Sequence, residues 1–152
     1  LQALKNNPFF EAPFPKSTGP ELFNLEYVQK AITESQTEQL STEDVLATLT
    51  RFSAETAAEA IIFAIQQAGT TTADFTVYVS GGGMHNPLLM DYLKELVPCS
   101  FKNTDEIGIS GDAKEAILFA VLANETVAGG ATDFGTNNGI PSVTMGKISF
   151  PD

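Results

Sequence analysis

The chain has 152 residues, of which 43% are hydrophobic and 18% are charged, and its eight Lys and Arg residues against nineteen Asp and Glu residues give a net charge of −11. This composition supplies apolar residues for a globular core, which excludes an intrinsically disordered chain and a small disulfide-stabilised scaffold. The negative charge repels phosphate backbones and anionic bilayers, so it argues against a nucleic-acid or membrane partner.

Two further features of the sequence bear on its location. It has no apolar run of about 18 residues and no basic-then-apolar leader, so we expect neither a membrane span nor a signal peptide. The single cysteine, Cys99, fits a reducing compartment. The sequence therefore predicts a cytoplasmic protein, and because it begins at Leu1 rather than Met, a piece of a longer protein remains an open alternative.

The first half of the chain predicts a loop followed by two helices. Residues 1–19 alternate prolines with phenylalanines, a composition that predicts an ordered loop rather than a regular helix. Apolar residues at helical spacing then predict a helix from Pro20 to about Ser35. A second helix is predicted from Ser41, a capping residue, to Gly69, a glycine typical of a helix end.

The second half predicts strands that alternate with helices. β-Branched and aromatic residues at 75–79 indicate a buried strand, and Asn86 caps a helix that ends before Pro98. A short strand at 99–101 and a polar loop at 104–111 follow.

The order continues with a last helix at 112–128, and β-α-β-α predicts parallel strands with a right-handed crossover. A parallel sheet needs cover on both faces, so two strands alone leave it incomplete. The tail from residue 129 is rich in Gly, Asn and Thr, with a short strand predicted at 147–150.

The most informative segment joins the first strand to the capped helix through Gly81, Gly82 and Gly83. Three glycines without Cβ atoms allow a planar or phosphorylated ligand to lie against the backbone at a positive helix end. The spacing fits neither the dinucleotide-binding fingerprint nor the P-loop. Spacing alone leaves a second interpretation open, a tight turn where strand and helix pack closely.

Four segments, in the same order along the chain, resemble the anhydro-N-acetylmuramic acid kinase family of the actin-like ATPase and sugar-kinase superfamily. They are PKSTG at 15–19 with ELFN at 21–24, GGG at 81–83 with NPLLM at 86–90, TDEIGI at 104–109 with DAKEA at 112–116, and PSVT at 141–144.

The resemblance implies an α/β fold, the C-terminal half of an actin-like (ribonuclease H-like) ATPase, helix-rich with an incomplete parallel sheet. Residues 1–152 would be a portion of the C-terminal lobe. Its parts would be an opening loop at 1–19, two helices at 20–69, a βαβα adenosine-binding unit at 75–128 and a tail at 129–152.

The resemblance also implies an enzyme that uses ATP, Mg²⁺ and water to open the 1,6-anhydro ring of anhydro-N-acetylmuramic acid and phosphorylate O6, a step of peptidoglycan recycling. By the family pattern, Gly81, Gly82, Gly83 and Asn86 line the adenosine, and Glu115 approaches the sugar. Alternatively, Glu115 is a solvated acid in the first turn of a helix, where the helix dipole stabilises it. The pattern implies no metal ligand and no catalytic residue here, because the phosphate loop and the general base lie upstream.

Two alternatives remain open from the sequence. One is a non-catalytic nucleotide-binding or interaction module of the same fold, suggested by the absence of the general base. The other is a different sugar or acetate-type kinase of the superfamily. The resemblance implies an amino-sugar substrate, an N-terminal lobe of the same protein as partner and a homodimer, and we expect the isolated chain to be inactive.

Overall fold

A computed structural model describes residues 1–130, 146, 148 and 149. Within them the helices and strands follow the order α1 (Gln2–Lys5), α2 (Pro8–Glu11), α3 (Leu25–Glu34), α4 (Thr42–Gln67), β1 (Thr76–Val79), α5 (Pro87–Leu96), β2 (Ser100–Asn103) and α6 (Lys114–Ala128). Short 3₁₀-helices lie at Thr72–Asp74, Gly82–His85 and Thr104–Ile107. The strands form a two-stranded parallel sheet, which confirms the predicted helix-rich α/β class and the parallel pairing.

The chain divides into two compact units. The first comprises Leu1–Val77 and Gly83–Phe101, and the second comprises Tyr78–Gly82 and the residues from Lys102 onward. The strand predicted at 147–150 lies outside the described residues except for positions 148 and 149. No helix among the described residues is long and apolar enough to cross a bilayer.

The opening segment differs from the loop that its prolines predict, because it contains the short helices α1 and α2. Pro8 occupies the first position of α2, where a helix needs no backbone N–H donor, so this proline begins a helix instead of breaking one. The Asn7 side chain accepts a hydrogen bond from the Phe9 N–H and caps the helix. The prediction of a continuous loop over 1–19 is therefore wrong.

The start of α3 also differs from the prediction. The helix begins at Leu25 and not at Pro20, because the Asn24 side chain accepts a hydrogen bond from the Tyr27 N–H at 3.0 Å. The residues before it form a turn in which the Glu21 carboxylate accepts from the Gly19 N–H at 2.7 Å. The predicted end of this helix is confirmed, since α3 stops at Glu34.

The core of the first unit lies where α4 and the end of α5 pack beside Phe75, which precedes β1, and Phe101 of β2. Ala58, Ile65 and Val97 are its buried members, and Phe75 and Phe101 pack against them. A second apolar group joins the opening segment to α4 through edge-on ring contacts. Its members are Phe9, Phe10, Phe23, Tyr27 and Phe52.

Charged side chains connect three helices of the first unit. Lys5 of α1 contacts Glu55 and Glu59 of α4, at 3.3 Å and 2.6 Å. Arg51 of α4 contacts Glu55 within the same helix at 3.0 Å and Glu95 of α5 at 3.2 Å. The opening segment and α5 are thus both held to α4 by ion pairs in addition to apolar packing.

Candidate functional site

The glycine turn after β1 exposes bare backbone. Gly81 has a φ of +77°, a left-handed conformation that favours glycine, and a Cβ added there would meet no atom within 4 Å. Gly82 has no such conformation, and within the described part of the chain a Cβ added there would also meet no atom within 4 Å. Conformation explains Gly81, whereas neither conformation nor packing requires a glycine at position 82.

Hydrogen bonds join this turn to the loop that follows β2. The Gly81 N–H donates to the Gly111 carbonyl at 2.9 Å, and the Gly111 N–H donates to Asp105 Oδ2 at 3.3 Å. Both segments follow the carboxyl ends of parallel strands, the edge at which open α/β sheets bind their ligands. The second unit therefore brings the glycine turn and the 104–111 loop together at one edge of the sheet.

The 104–111 loop is closed by its own backbone. Its first part, Thr104–Ile107, is a 3₁₀-helix that ends at Gly108, where φ is +79°. The Gly108 N–H donates to the Asp105 carbonyl, and the Ile109 N–H donates to the Thr104 carbonyl at 3.1 Å. The segment predicted as a polar loop is thus a compact turn with a fixed shape.

Thr104 stands out within this loop. It retains 8% of its exposed surface, and its hydroxyl has no hydrogen-bond partner among the described residues. Sequence reasoning favoured a simple loop role for Thr104 and Asp105 and did not find the Asp105–Gly111 contact. The signal available was the tendency of Asp side chains to accept hydrogen bonds from nearby turn backbone.

Gly83 and Asn86 belong to the first unit. A Cβ on Gly83 would lie 3.5 Å from Leu89 Cδ2, an ordinary van der Waals distance. The Asn86 side chain accepts from the Leu89 N–H at 3.1 Å and caps α5, with Pro87 in the first turn, as the sequence predicted. A nucleotide contact of these two residues stays a prediction.

Glu115 lies in the first turn of α6 and is exposed. The approach to this helix is shaped by Ser110, whose hydroxyl accepts a hydrogen bond from the Ala113 N–H at 3.3 Å. A carboxylate in a first helical turn is stabilised by the helix dipole. This position suits the solvated-acid interpretation and also leaves the carboxylate available to a substrate.

Metal-binding side chains are not clustered in this part of the chain. No group of three His, Cys, Asp or Glu residues among the described positions could hold a metal ion.

Comparison with known proteins identifies the family. The family model for anhydro-N-acetylmuramic acid kinase matches residues 1–149. A protein of that name from Pseudoalteromonas atlantica is 52% identical over 155 aligned residues, which cover 100% of this chain and 38% of the relative. Proteins of the same name from Pseudoalteromonas translucida and Streptomyces avermitilis are 48% and 42% identical, over 100% and 98% of this chain.

These matches define the chain first as part of a kinase family, with a helix-rich α/β fold. Specifically, it belongs to the anhydro-N-acetylmuramic acid kinase family, which confirms the resemblance found in the sequence. The chain spans 37–38% of the length of these three relatives.

Proposed function

We propose that this chain forms the C-terminal, adenosine-side part of an ATP-dependent kinase. In this proposal the whole protein uses ATP and water to open the 1,6-anhydro ring of anhydro-N-acetylmuramic acid and phosphorylates O6, in peptidoglycan recycling. Membership of the family over residues 1–149 supports the kinase class and the substrate. A cytoplasmic location, an N-terminal lobe as partner and a homodimer remain predictions.

The observation that carries the nucleotide part of the proposal is the bare backbone at Gly82. A glycine costs conformational entropy on folding, and neither a positive φ nor a close neighbour accounts for one here. A ligand that lies flat against the main chain accounts for it, because any side chain would hold that ligand away. This favours the ligand interpretation of the glycine turn over a tight packing turn.

The residues of this chain would act by positioning. The backbone at Gly81 and Gly82 would support the adenosine, and Asp105 and Gly111 would hold that turn in place. Bound ATP would supply the phosphoryl group, and electrostatic stabilisation and orientation dominate such transfers. Glu115 would contact the sugar, the general base would come from outside this chain, and no Mg²⁺ ligand is assigned to the described residues.

Substitution of Gly82 tests the proposal in the full-length protein. We expect Gly82→Ala to leave the melting temperature unchanged, because the added methyl group meets no atom of residues 1–130, 146, 148 and 149 within 4 Å. We expect it to weaken ATP binding by about tenfold or more, since roughly 1.4 kcal/mol of lost contact suffices. The measurements are calorimetric titration with ATP and phosphorylation of anhydro-N-acetylmuramic acid, with common hexoses as competing substrates.

Gly130→Ala is the matched control, because a Cβ there also meets no atom of the described residues within 4 Å and its φ is not positive. It should leave both melting temperature and ATP affinity unchanged. Equal ATP affinity in Gly82→Ala and the unsubstituted protein would contradict the nucleotide role of the turn. ATP binding without phosphoryl transfer would favour a non-catalytic module, and a preference for a hexose would favour another sugar kinase.

A further inference from the structure

The loop after β2 contains a buried hydroxyl group that has no partner in the part of the chain that the structure describes. Thr104 is 8% exposed, and its Oγ1 atom makes no hydrogen bond there. Buried polar groups are nearly always hydrogen-bonded, because leaving one unsatisfied costs its full desolvation penalty. The hydroxyl also contributes nothing to the shape of the loop, which the backbone bonds of Gly108 and Ile109 close without it.

This hydroxyl belongs to the same edge of the sheet as the glycine turn. Thr104 directly follows β2, and its neighbour Asp105 accepts a hydrogen bond from Gly111. Gly111 in turn accepts from the Gly81 N–H. Asp105, the residue next to Thr104, is thus connected to the glycine turn through two hydrogen bonds. The turn and the loop both follow the carboxyl ends of parallel strands.

We infer that Thr104 is a ligand-contacting residue of the nucleotide site, and that its hydroxyl hydrogen-bonds the nucleoside part of the bound nucleotide. This inference rests on the proposed function. The nucleoside is favoured over the phosphates because the Asp105 carboxylate is the next residue and the chain carries a net charge of −11. Ribose hydroxyls and adenine nitrogens are neutral hydrogen-bonding groups, so negatively charged surroundings do not repel them.

The physical advantage of this arrangement lies in desolvation. Folding has already removed water from the Thr104 hydroxyl, so a ligand gains its hydrogen bond without stripping that water again. Threonine has three staggered χ1 positions, so the hydroxyl can change the direction in which it donates when a ligand binds. The bond is therefore worth more to binding than one to a hydrated surface hydroxyl.

Three variants of the full-length protein test the inference by calorimetric titration with adenosine and, separately, with ATP. Thr104→Val keeps the shape of the side chain and removes the hydroxyl, whereas Thr104→Ser keeps the hydroxyl. Thr56→Val is the matched control, because the Thr56 hydroxyl donates to the Phe52 and Ser53 carbonyls inside α4. Melting temperatures are measured for all three.

We expect Thr104→Val to weaken the binding of adenosine and of ATP by the same factor, about tenfold. Its melting temperature should not fall, because the substitution removes an unsatisfied buried group. Thr104→Ser and Thr56→Val should bind both ligands as the unsubstituted protein does.

Four results would overturn the inference, and they separate it from the proposed function. Unchanged affinity in Thr104→Val overturns the inference alone, and so does a lowered melting temperature with weakened binding in both Thr104 variants, which indicates a structural role. A loss for ATP without a loss for adenosine overturns the assignment to the nucleoside. Absence of ATP binding by the unsubstituted protein overturns the proposed function and this inference with it.

Discussion

Cys99 shows how burial decides the chemistry of a single residue. It packs against the core formed by Ala58, Ile65 and Val97. Burial raises the pKa of its thiol above the ordinary value, because desolvation disfavours the charged thiolate. Since the thiolate is the reactive form, the structure supports the role of Cys99 as a small apolar core residue and not as a nucleophile.

Alkylation of the chain tests this assignment. We expect Cys99 to react with iodoacetamide at pH 8 several-fold more slowly in the folded chain than in the chain unfolded in urea, since burial lowers both access and the thiolate fraction. Mass spectrometry of timed samples gives the rates, and Cys99→Ser is the unlabelled control. Equal rates in the two states would show that the thiol is not protected by the fold.

At the scale of the element, α3 and α4 end in the same way with different residues. After α4, the Gly69 N–H donates to the Gln66 carbonyl and the Thr70 N–H donates to the Ile65 carbonyl. After α3, Gln36 and Thr37 make the equivalent bonds to the Thr33 and Ile32 carbonyls. The equivalent bonds identify both ends as Schellman motifs, whose C′ residue is left-handed: φ is +62° at Gly69 and +55° at Gln36.

The two ends predict opposite effects of substitution. Gln36→Gly should raise the free energy of unfolding by up to about 1 kcal/mol, because glycine adopts a left-handed φ without the Cβ clash. Gly69→Ala should lower it by about 1 kcal/mol for the same reason, although a Cβ there has open space. Urea denaturation followed by circular dichroism measures both, and a destabilised Gln36→Gly variant would refute the argument.

Local signals explain which elements could be predicted from the sequence. Both ends of α4 and the Asn86 cap of α5 follow from capping residues next to periodic apolar runs. The short helix at Pro8 could not be predicted in the same way, because proline signals a helix start as well as a loop. For α3, the prediction took Pro20 as the start and did not recognise the Asn24 cap, because apolar spacing alone does not mark the first turn of a helix.

The candidate site likewise has features that the sequence reveals and contacts that only the structure reveals. The glycine turn was visible from three adjacent glycines, but its contact with Gly111 joins residues 30 positions apart and has no local signature. The orphan hydroxyl of Thr104 likewise depends on what surrounds it in space. The sequence identified the glycine turn as a candidate ligand contact and 104–111 as a polar loop, whereas the hydrogen bonds between the two segments depend on three-dimensional packing.

At the scale of the whole molecule, the chain has two units, and ion pairs join three helices of the first. Glu55 lies between Lys5 and Arg51, and the hydrogen bond from Arg51 is the main cause that lowers the pKa of its carboxyl below the ordinary 4.5. The hydrogen bond that Lys5 donates to the Glu59 carboxylate is the main cause that raises the pKa of Lys5 above its ordinary 10.5. The stabilisation by these ion pairs is therefore complete at pH values between the ordinary pKa of Glu55 and the ordinary pKa of Lys5.

The direction of the pKa shift of Glu55 predicts how the free energy of unfolding changes with pH. The stabilisation by Glu55 is complete above its unfolded-state pKa and is lost as the pH falls through its lowered folded-state pKa. Glu55→Gln should therefore destabilise the chain at pH 7, by less than about 1 kcal/mol because such pairs are partly solvated. The difference from the unsubstituted chain should shrink toward pH 3.

Urea denaturation at several pH values measures this difference. Glu38→Gln is the control, because Glu38 is exposed and lies on the connection between α3 and α4, outside this charged group. A difference that is constant from pH 7 to pH 3 would show that Glu55 acts by packing and not through its charge.

Gly111 uses both of its backbone groups, the N–H toward Asp105 and the carbonyl toward Gly81. The Gly111 backbone thus ties the segment that precedes α6 to the turn that follows β1. The bond between Gly81 and Gly111 joins two backbone groups and so tolerates side-chain exchange on either segment, whereas the bond to Asp105 requires its carboxylate.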